Sequence, residues 1–201
     1  MPPMDLFPPS ATLVPIPIED GILALQQQLP LPYSNEDILQ RLLAQTPWRA
    51  ETVVVFGQRH LQPRLTAWYG EASYTYSGLR LEPLPWTPLL DEIRAAVEAA
   101  CGARFNSVLL NLYRNGRDSM GMHSDDEPEL GPEPLIASLS YGSARTFILR
   151  HKRNKQTLRL PLGDGKLLLM AGTLQQNWLH GINKSARALD ARINLTFRYI
   201  A

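Results

Sequence analysis

The chain has 201 residues, 44% of them hydrophobic, and a formal net charge of +1, which indicates one globular domain and excludes a disordered chain. Its longest apolar runs, such as KLLLMAG, are far shorter than the roughly 20 residues that a membrane-spanning helix needs. No secretory signal is visible, and a single cysteine excludes an internal disulfide framework. We expect a monomer in the cytoplasm, or in the nucleus if the source is eukaryotic, with no membrane partner.

Proline dominates the N-terminal part of the sequence, where eight of the 17 prolines lie at or before residue 32. Proline fixes φ and removes a backbone hydrogen-bond donor, so this composition is typical of an extended segment. We predict an extended lead over residues 1–35 and a single folded domain over residues 36–201.

Two helices are predicted after this lead. In SNEDILQRLLAQTPW, Ser34 and Asp37 have the spacing of a capping box, and the apolar residues that follow recur at helical spacing. In TPLLDEIRAAVEAACG, Thr87 suits the N-cap, Pro88 the first turn and Gly102 the end of the helix.

From residue 105 onward the hydrophobic pattern changes to period two, which indicates strands. The last run, RINLTFRYI, has one apolar and one polar face; the apolar face consists of Ile193, Leu195, Phe197 and Tyr199, and the polar face of Arg192, Asn194, Thr196 and Arg198. In SVLLNLYRNG, Asn111 and Tyr113 share a face, and IASLSYG followed by RTFILRHK is predicted to form a hairpin.

Helices followed by short strands predict an α+β domain. We favour a double-stranded β-helix (jelly roll) core with the N-terminal helices packed outside, although period two alone fits other antiparallel sandwiches equally well.

The stretch MGMHSDDE suggests a metal site, although a solvated charged loop is the alternative. His123 and Asp125 are two apart, so on extended backbone both side chains point to the same side. They are two thirds of the 2-His-1-carboxylate arrangement of non-haem Fe(II) oxygenases. The third ligand should be a later histidine, either His151 or His180; we choose His180, because it follows an apolar strand and a glycine-bearing turn, whereas His151 lies in a basic run.

A second feature strengthens the iron hypothesis. Non-haem iron that activates O₂ commonly draws electrons from a bound 2-oxo acid, whose far carboxylate needs a bidentate donor such as a guanidinium. Arg192 and Arg198 are six apart, hence on the same strand face, and Thr196 adds a hydroxyl there.

Four segments together resemble the AlkB family of Fe(II)/2-oxoglutarate dioxygenases, in particular its eukaryotic-type branch that repairs alkylated DNA: NLYRNGRDSMGMHSDDE, IASLSYGSARTFILRHK, LLLMAGTLQQNWLHGI and RINLTFR. The resemblance runs from about residue 51 to 200. It implies that iron is held by His123, Asp125 and His180. It implies that 2-oxoglutarate is held by Asn111, Tyr113, Arg192, Thr196 and Arg198.

The resemblance also implies a substrate: DNA bases methylated on a ring nitrogen, such as 1-methyladenine and 3-methylcytosine, which are cationic. The N-methyl carbon would be hydroxylated and lost as formaldehyde, with succinate and CO₂ as co-products. An acid beside the pocket would favour a cationic base, and Asp126 is a better candidate than Glu127. The base must be flipped out of the duplex.

The nucleotide-recognition segment is expected at about residues 51–85. In VVVFGQRH, Phe56 and Gly57 suit the tip of a hairpin whose aromatic ring fills the gap in the base stack, with Arg64 close behind. Tyr74 and Tyr76 would surround the flipped base. A core phenylalanine and tyrosines packed at a strand edge are the alternatives.

Other functions are alternatives on the sequence. A demethylase of RNA or protein, or an alkyl-group scavenger, would have the same fold. A nucleic-acid-binding module would have lost catalysis. A zinc hydrolase would use similar ligands but would leave Arg192 and Arg198 without a role.

Overall fold

The computed structural model describes residues 12–55, 58–71, 74–76, 79–81 and 83–201. The elements follow in chain order: β1 (Val14–Pro15), β2 (Ile22–Gln26), α1 (Asn35–Gln45), β3 (Thr52–Val55), β4 (Gln58–Leu61), β5 (Leu65–Gly70), β6 (Tyr74–Tyr76), β7 (Leu79–Leu81), α2 (Pro88–Cys101), β8 (Ser107–Tyr113), β9 (Met120–His123), a 3₁₀ turn (Pro128–Leu130), β10 (Ile136–Gly142), β11 (Arg145–His151), β12 (Thr157–Leu162), β13 (Leu167–Ala171), α3 (Leu174–Asn177), β14 (Trp178–Ile182) and β15 (Arg192–Arg198).

Two antiparallel sheets form the centre of the molecule. Within the described ranges, seven strands make the larger sheet, in the order β1-β2-β13-β10-β15-β8-β5, and four make the smaller one, in the order β12-β11-β14-β9. Side chains from both sheets share one buried cluster; the larger sheet contributes Leu23, Tyr113, Ile136, Leu168 and Met170, and the smaller one Phe147, Leu149, Leu160, Leu162, Trp178 and Ile182. Two packed antiparallel sheets with helices outside confirm the predicted α+β class and agree with a jelly-roll core.

Both predicted helices are present, and each begins at its predicted cap. Ser34 caps α1 by accepting a hydrogen bond from the Asp37 backbone N–H at 3.1 Å. Thr87 caps α2 in the same way, and the helix ends at Gly102, whose φ of 64° suits glycine. Among the described residues, no helix is both long and apolar enough to cross a membrane.

The helices cover the outer face of the larger sheet. The buried cluster there includes Ile38, Leu39 and Leu42 of α1, Leu90, Ile93 and Val97 of α2, Val108, Leu110 and Leu112 of β8, and Ile193, Leu195 and Phe197 of β15. The predicted alternation in these two strands is therefore confirmed, and their polar side chains face the smaller sheet. The prediction for Tyr199 was wrong: the strand ends at Arg198, and Tyr199 is 57% exposed.

The predicted hairpin of β10 and β11 was also wrong. β10 pairs with β13 and β15 in the larger sheet, whereas β11 pairs with β12 and β14 in the smaller one. Gly142, with φ of 86°, ends β10 and lets the chain pass from one sheet to the other. Period two identifies both strands but carries no information about their partners.

Part of the proline-rich lead belongs to the larger sheet. β2 pairs with β13 from Leu167↔Gln26 to Ala171↔Ile22, and Leu23 is buried between the sheets. The boundary at residue 35 stays a prediction, but residues 22–26 are an integral part of the sheet.

Candidate metal centre

Three side chains that bind metals well meet where the smaller sheet ends. One ligand atom from each of His123, Asp125 and His180 lies within 4.8 Å of the others. Antiparallel pairing of β9 with β14 sets His123 directly opposite His180, and their ring centroids are 4.4 Å apart. The sequence prediction that these residues lie together is thus matched by the register of two strands.

The segment from His123 to Asp125 has the predicted orientation. His123 Nδ1 is 2.9 Å from the Gly121 carbonyl oxygen, and its Nε2 faces Asp125 Oδ1 at 3.7 Å. Ser124 points the other way and donates to the Trp178 carbonyl oxygen at 3.0 Å. A proton on Nδ1, donated to Gly121, leaves the Nε2 lone pair available to a metal ion.

Burial and neighbouring charges favour the protonation states that a metal ion requires. Burial alone would raise the pKa of Asp125. The Arg198 guanidinium and the two histidines have the larger, opposite effect and lower this pKa to about 2. Burial, followed by the nearby His123, lowers the pKa of His180 to about 3. Near neutral pH, Asp125 is therefore a carboxylate and His180 a neutral imidazole, as metal ligands must be.

His151, the alternative third ligand, lies elsewhere. It is 1% exposed, its ring packs edge-on against Trp178, and its Nε2 is 3.1 Å from Asp20 Oδ2. Its Nδ1 accepts from the backbone N–H groups of Arg153 and Asn154. Both ring nitrogens are occupied in a structural contact that joins the N-terminal segment to β11.

A cavity that is partly open to solvent adjoins the three ligands. Its lining includes every residue that the sequence assigned to 2-oxoglutarate: Asn111, Tyr113, Arg192, Thr196 and Arg198. Phe147, Met120 and Ile182 form apolar walls. The structure thus brings the predicted ligand set and the predicted polar wall into one space.

The two arginines of β15 have different surroundings. Arg198 Nη2 donates to Asp125 Oδ2 at 2.9 Å, so it forms an ion pair beside the metal cluster. Arg192 Nη2 donates to Ser140 Oγ at 2.8 Å, and its guanidinium lies 5.2 Å from the centroid of the Tyr113 ring.

The guanidinium of Arg192 makes this part of the cavity suitable for a small anion. The residue is 1% exposed, and burial lowers its pKa to about 10. Among the described residues it has no acidic partner, and its Nε and Nη1 have no hydrogen-bond acceptor. A buried cation with spare donors is unfavourable unless a carboxylate joins it, and this fits a 2-oxo dicarboxylate. Asp125 Oδ1 and His180 Nδ1, likewise without hydrogen-bond partners in the described part, fit a metal ion.

Sequence reasoning missed two serines that shape this wall. Ser140 binds Arg192, and Ser138 accepts a hydrogen bond from Asn194 Nδ2 at 2.8 Å. Both come from IASLSYG, where serines alternate with apolar residues. That alternation places both serines on one face of the strand, which is the signal in the sequence that marks them as part of the wall.

Among the described side chains, those predicted to contact the base do not lie together in the cavity as the predicted iron and 2-oxoglutarate ligands do. Asp126 is exposed, with its Oδ2 4.0 Å from Lys152 Nζ, and Glu127 precedes the 3₁₀ turn. Arg64 is 4% exposed and donates from Nε to Asn111 Oδ1 at 2.8 Å, so its side chain is buried against the polar wall.

The remaining recognition residues lie largely outside the described part of the chain. β3 pairs with β4 as predicted, but Phe56 and Gly57 between them are outside the described residues. Tyr74 and Tyr76 lie on β6, which pairs with β7, and their side chains are likewise outside it.

Comparison with known proteins gives matches over most of the chain. A model described as "2OG-Fe(II) oxygenase superfamily" matches residues 21–198. The Homo sapiens protein named alpha-ketoglutarate-dependent dioxygenase alkB homolog 3 is 44% identical over 173 residues, which cover 81% of this chain and 60% of that protein. DNA oxidative demethylase ALKBH2 of Homo sapiens is 45% identical over 158 residues, covering 74% and 60%. The chain therefore spans about three fifths of the length of these relatives.

More distant matches agree with these. DNA oxidative demethylase ALKBH2 of Arabidopsis thaliana is 36% identical over 183 residues, which cover 77% of this chain and 58% of that protein. The solved structure of OsALKBH1 matches with a TM-score of 0.62, covering 92% of this chain and 100% of that one at 15% identity. At that identity the structural match shows a shared fold.

Proposed function

Because this chain belongs to the 2OG-Fe(II) oxygenase superfamily and, within it, to the eukaryotic type of the AlkB family, we propose that it is a DNA oxidative demethylase. The substrates would be DNA bases alkylated on a ring nitrogen, with 1-methyladenine and 3-methylcytosine as the first to test. Relatives named DNA oxidative demethylase, 45% and 36% identical to this chain, support the reaction and the nucleic-acid partner.

One observation carries the proposal. Two imidazoles and a carboxylate converge beside a cavity whose far wall holds Arg192, which is buried and has no acidic partner in the described part of the chain. A zinc hydrolase needs the three ligands but has no use for a buried guanidinium across the cavity. A metal-dependent enzyme with a dicarboxylate co-substrate needs both.

The residues divide between two tasks. His123, Asp125 and His180 would hold Fe(II), with Arg198 keeping Asp125 oriented through their ion pair. Arg192 would bind the far carboxylate of 2-oxoglutarate. The hydroxyls and amides of Tyr113, Asn111 and Thr196 would complete its site. Fe(II) and 2-oxoglutarate, once bound, supply the oxidation of the N-methyl carbon by O₂, with release of succinate and CO₂.

The apolar walls of the cavity also have a function in this reaction. Phe147 stacks on the His180 ring, with centroids 5.3 Å apart, which fixes the imidazole plane. Together with Met120 and Ile182 it reduces the access of water to the cavity. The hydroxymethyl group formed on the ring nitrogen leaves as formaldehyde, which restores the base.

On the substrate side, Asp126 provides the charge that a cationic base needs. It directly follows the proposed ligand Asp125, and its exposed carboxylate is available to a base that approaches the cavity. Phe56 would fill the space left by the flipped base, and Tyr74 and Tyr76 would stack around that base; these three roles rest on the sequence.

The test is mass spectrometry of short oligonucleotides that carry 1-methyladenine or 3-methylcytosine, as single strands and as duplexes, after incubation with the protein, Fe(II) and 2-oxoglutarate. We expect a loss of 14 mass units from methylated DNA, and no change without 2-oxoglutarate or with His180→Ala. Faster reaction on the matching RNA would make the protein an RNA demethylase. Binding without any mass change would make it a binding module.

A further inference from the structure

We propose that Gln175 is a positioning residue of the metal centre, which holds the backbone of Asp125 where its carboxylate meets the two histidines. The inference rests on the proposed role of Asp125 as a metal ligand. It assigns a function to a residue of α3 that does not line the cavity.

The contact itself is buried and specific. Gln175 is 1% exposed, and its Oε1 accepts a hydrogen bond from the Asp125 backbone N–H at 3.0 Å. Its Nε2 lies 3.9 Å from Met170 Sδ, so both ends of the amide have a neighbour that fixes its orientation. Without Gln175 the buried Asp125 N–H would lack an acceptor, and the segment would have to shift to find one.

Asp125 needs such support because it lies beyond the regular strand. β9 ends at His123, and its ladder with β14 is irregular between the pairs His180↔His123 and Ile182↔Met120. The backbone N–H of Asp125 therefore bonds to a side chain instead of a neighbouring strand. Arg198 orients the carboxylate, but Gln175 fixes the main chain that carries it.

Gln175 can act as an anchor because α3 is itself held in place. Lys152 Nζ donates to the Gln175 carbonyl oxygen at 3.0 Å, and the Lys152 N–H donates to the Asn177 carbonyl oxygen at 2.8 Å. The residue after α3, Trp178, accepts from Ser124 and starts the strand that carries His180. One short helix thus connects both ligand-bearing segments.

The experiment compares two neighbouring glutamines. Gln175→Met has similar length but no acceptor for the Asp125 N–H. The matched control is Gln176→Met, because Gln176 is exposed and its amide donates to the Pro132 carbonyl oxygen, away from the ligands. The probe is Mn(II) alone, with the dissociation constant measured by calorimetry. Hydrogen exchange of the Asp125 amide is followed beside it.

We expect Gln175→Met to weaken Mn(II) binding about 10- to 100-fold, the range typical of residues that orient a metal ligand. Exchange of the Asp125 amide should become faster in the same variant. Gln176→Met should bind Mn(II) as the wild-type protein does. Gln175→Glu keeps an oxygen acceptor at the same reach, so it should recover most of the affinity and of the amide protection.

A lowered melting temperature with unchanged Mn(II) affinity in Gln175→Met would overturn the inference, because Gln175 would then serve stability alone. If that variant does not fold, Gln175→Asn, which keeps the amide but withdraws the acceptor, must show the weaker binding instead; wild-type affinity there would also overturn the inference. Absence of Mn(II) binding by the wild-type protein would overturn the proposed function together with it.

Discussion

The cavity wall and the base-recognition residues are the two halves of the proposed active site, and they differ in what holds them. Arg192 and Arg198, on β15, and Asn111 and Tyr113, on β8, lie within regular strands, and all four are almost completely buried. Of the recognition residues that the structure describes, Tyr74 and Tyr76 lie on the short strand β6, and Asp126 lies in the loop after β9, where it is exposed.

This difference shows where side-chain position follows from local pattern. Within a strand, residues two apart share a face, so one known core residue fixes the direction of every other side chain. In a hairpin tip or loop no such period exists, and tertiary contacts decide. For the cavity wall we can therefore predict the effect of changing individual hydrogen-bonding atoms. For the recognition residues we predict only the effect of removing a side chain or its charge.

Loss of a metal ligand should have the strongest consequence, and the two later histidines provide a direct pair. His180→Ala should reduce turnover below detection, because it removes one of three protein ligands. His151→Ala should lower the melting temperature, since its ring packs on Trp178, but should retain turnover. Formaldehyde release and thermal melts measure both. The opposite pattern of activities would mean that the third ligand was chosen wrongly.

Replacing the guanidinium of Arg192 should have the second-largest effect. Arg192→Lys keeps the charge but loses bidentate donation, so the KM for 2-oxoglutarate should rise about 10- to 100-fold, as expected for one lost charge-assisted hydrogen bond. Initial rates over a series of 2-oxoglutarate concentrations measure it. Arg187→Lys, on the exposed loop after β14, is the matched control.

Arg198→Lys separates the two arginines. Because Arg198 is paired with Asp125, this variant should weaken Fe(II) binding and 2-oxoglutarate binding together. An increase confined to the KM for 2-oxoglutarate would instead give Arg198 the carboxylate-binding role that is proposed for Arg192.

Phe56 tests the recognition half. If its ring fills the space of a flipped base, Phe56→Ala should slow repair in duplex DNA about tenfold more than in single strands, because only a duplex has a stack to fill. Paired rates on the same lesion in both forms measure the difference. Equal losses on both forms, accompanied by a lower melting temperature, would identify Phe56 as a core residue.

Asp126 should have the smallest effect, since its carboxylate is exposed and water screens its charge. Asp126→Asn should reduce kcat/KM for 1-methyladenine by about twofold to fivefold, the range of a surface charge interaction. A neutral alkylated base should be affected less, and Glu133→Gln, which changes another exposed acid, should change neither. A loss equal for cationic and neutral bases would contradict a charge-based role.

Much of the fold was predictable because it depends on local signals. Ser34, Thr87, Pro88 and Gly102 mark the helix ends, and their effect does not depend on the rest of the chain. Strand pairing was not predictable in this way. β10 and β11 are neighbours in sequence but belong to different sheets, and period two is the same in either arrangement.

In the candidate site, too, some residues were predictable from local sequence patterns and others were not. The ligand cluster was predictable from spacing and from the choice between two histidines, and the structure brings its members together. Arg64 Nε donates to Asn111 in the buried wall, a contact that no sequence pattern indicated, and the role of Arg64 beside DNA stays a prediction. Gln175 escaped notice because a lone glutamine in a short segment has no pattern; only its contact with Asp125 reveals it.

Anaerobic visible spectroscopy with Fe(II) and 2-oxoglutarate tests most directly whether the buried wall is an iron and 2-oxo acid site. We expect a weak charge-transfer band that saturates with 2-oxoglutarate in the wild-type protein. The band should disappear in His180→Ala and require much more 2-oxoglutarate in Arg192→Lys. No band in the folded wild-type protein, or a band that His180→Ala leaves unchanged, would contradict the assignment of the site.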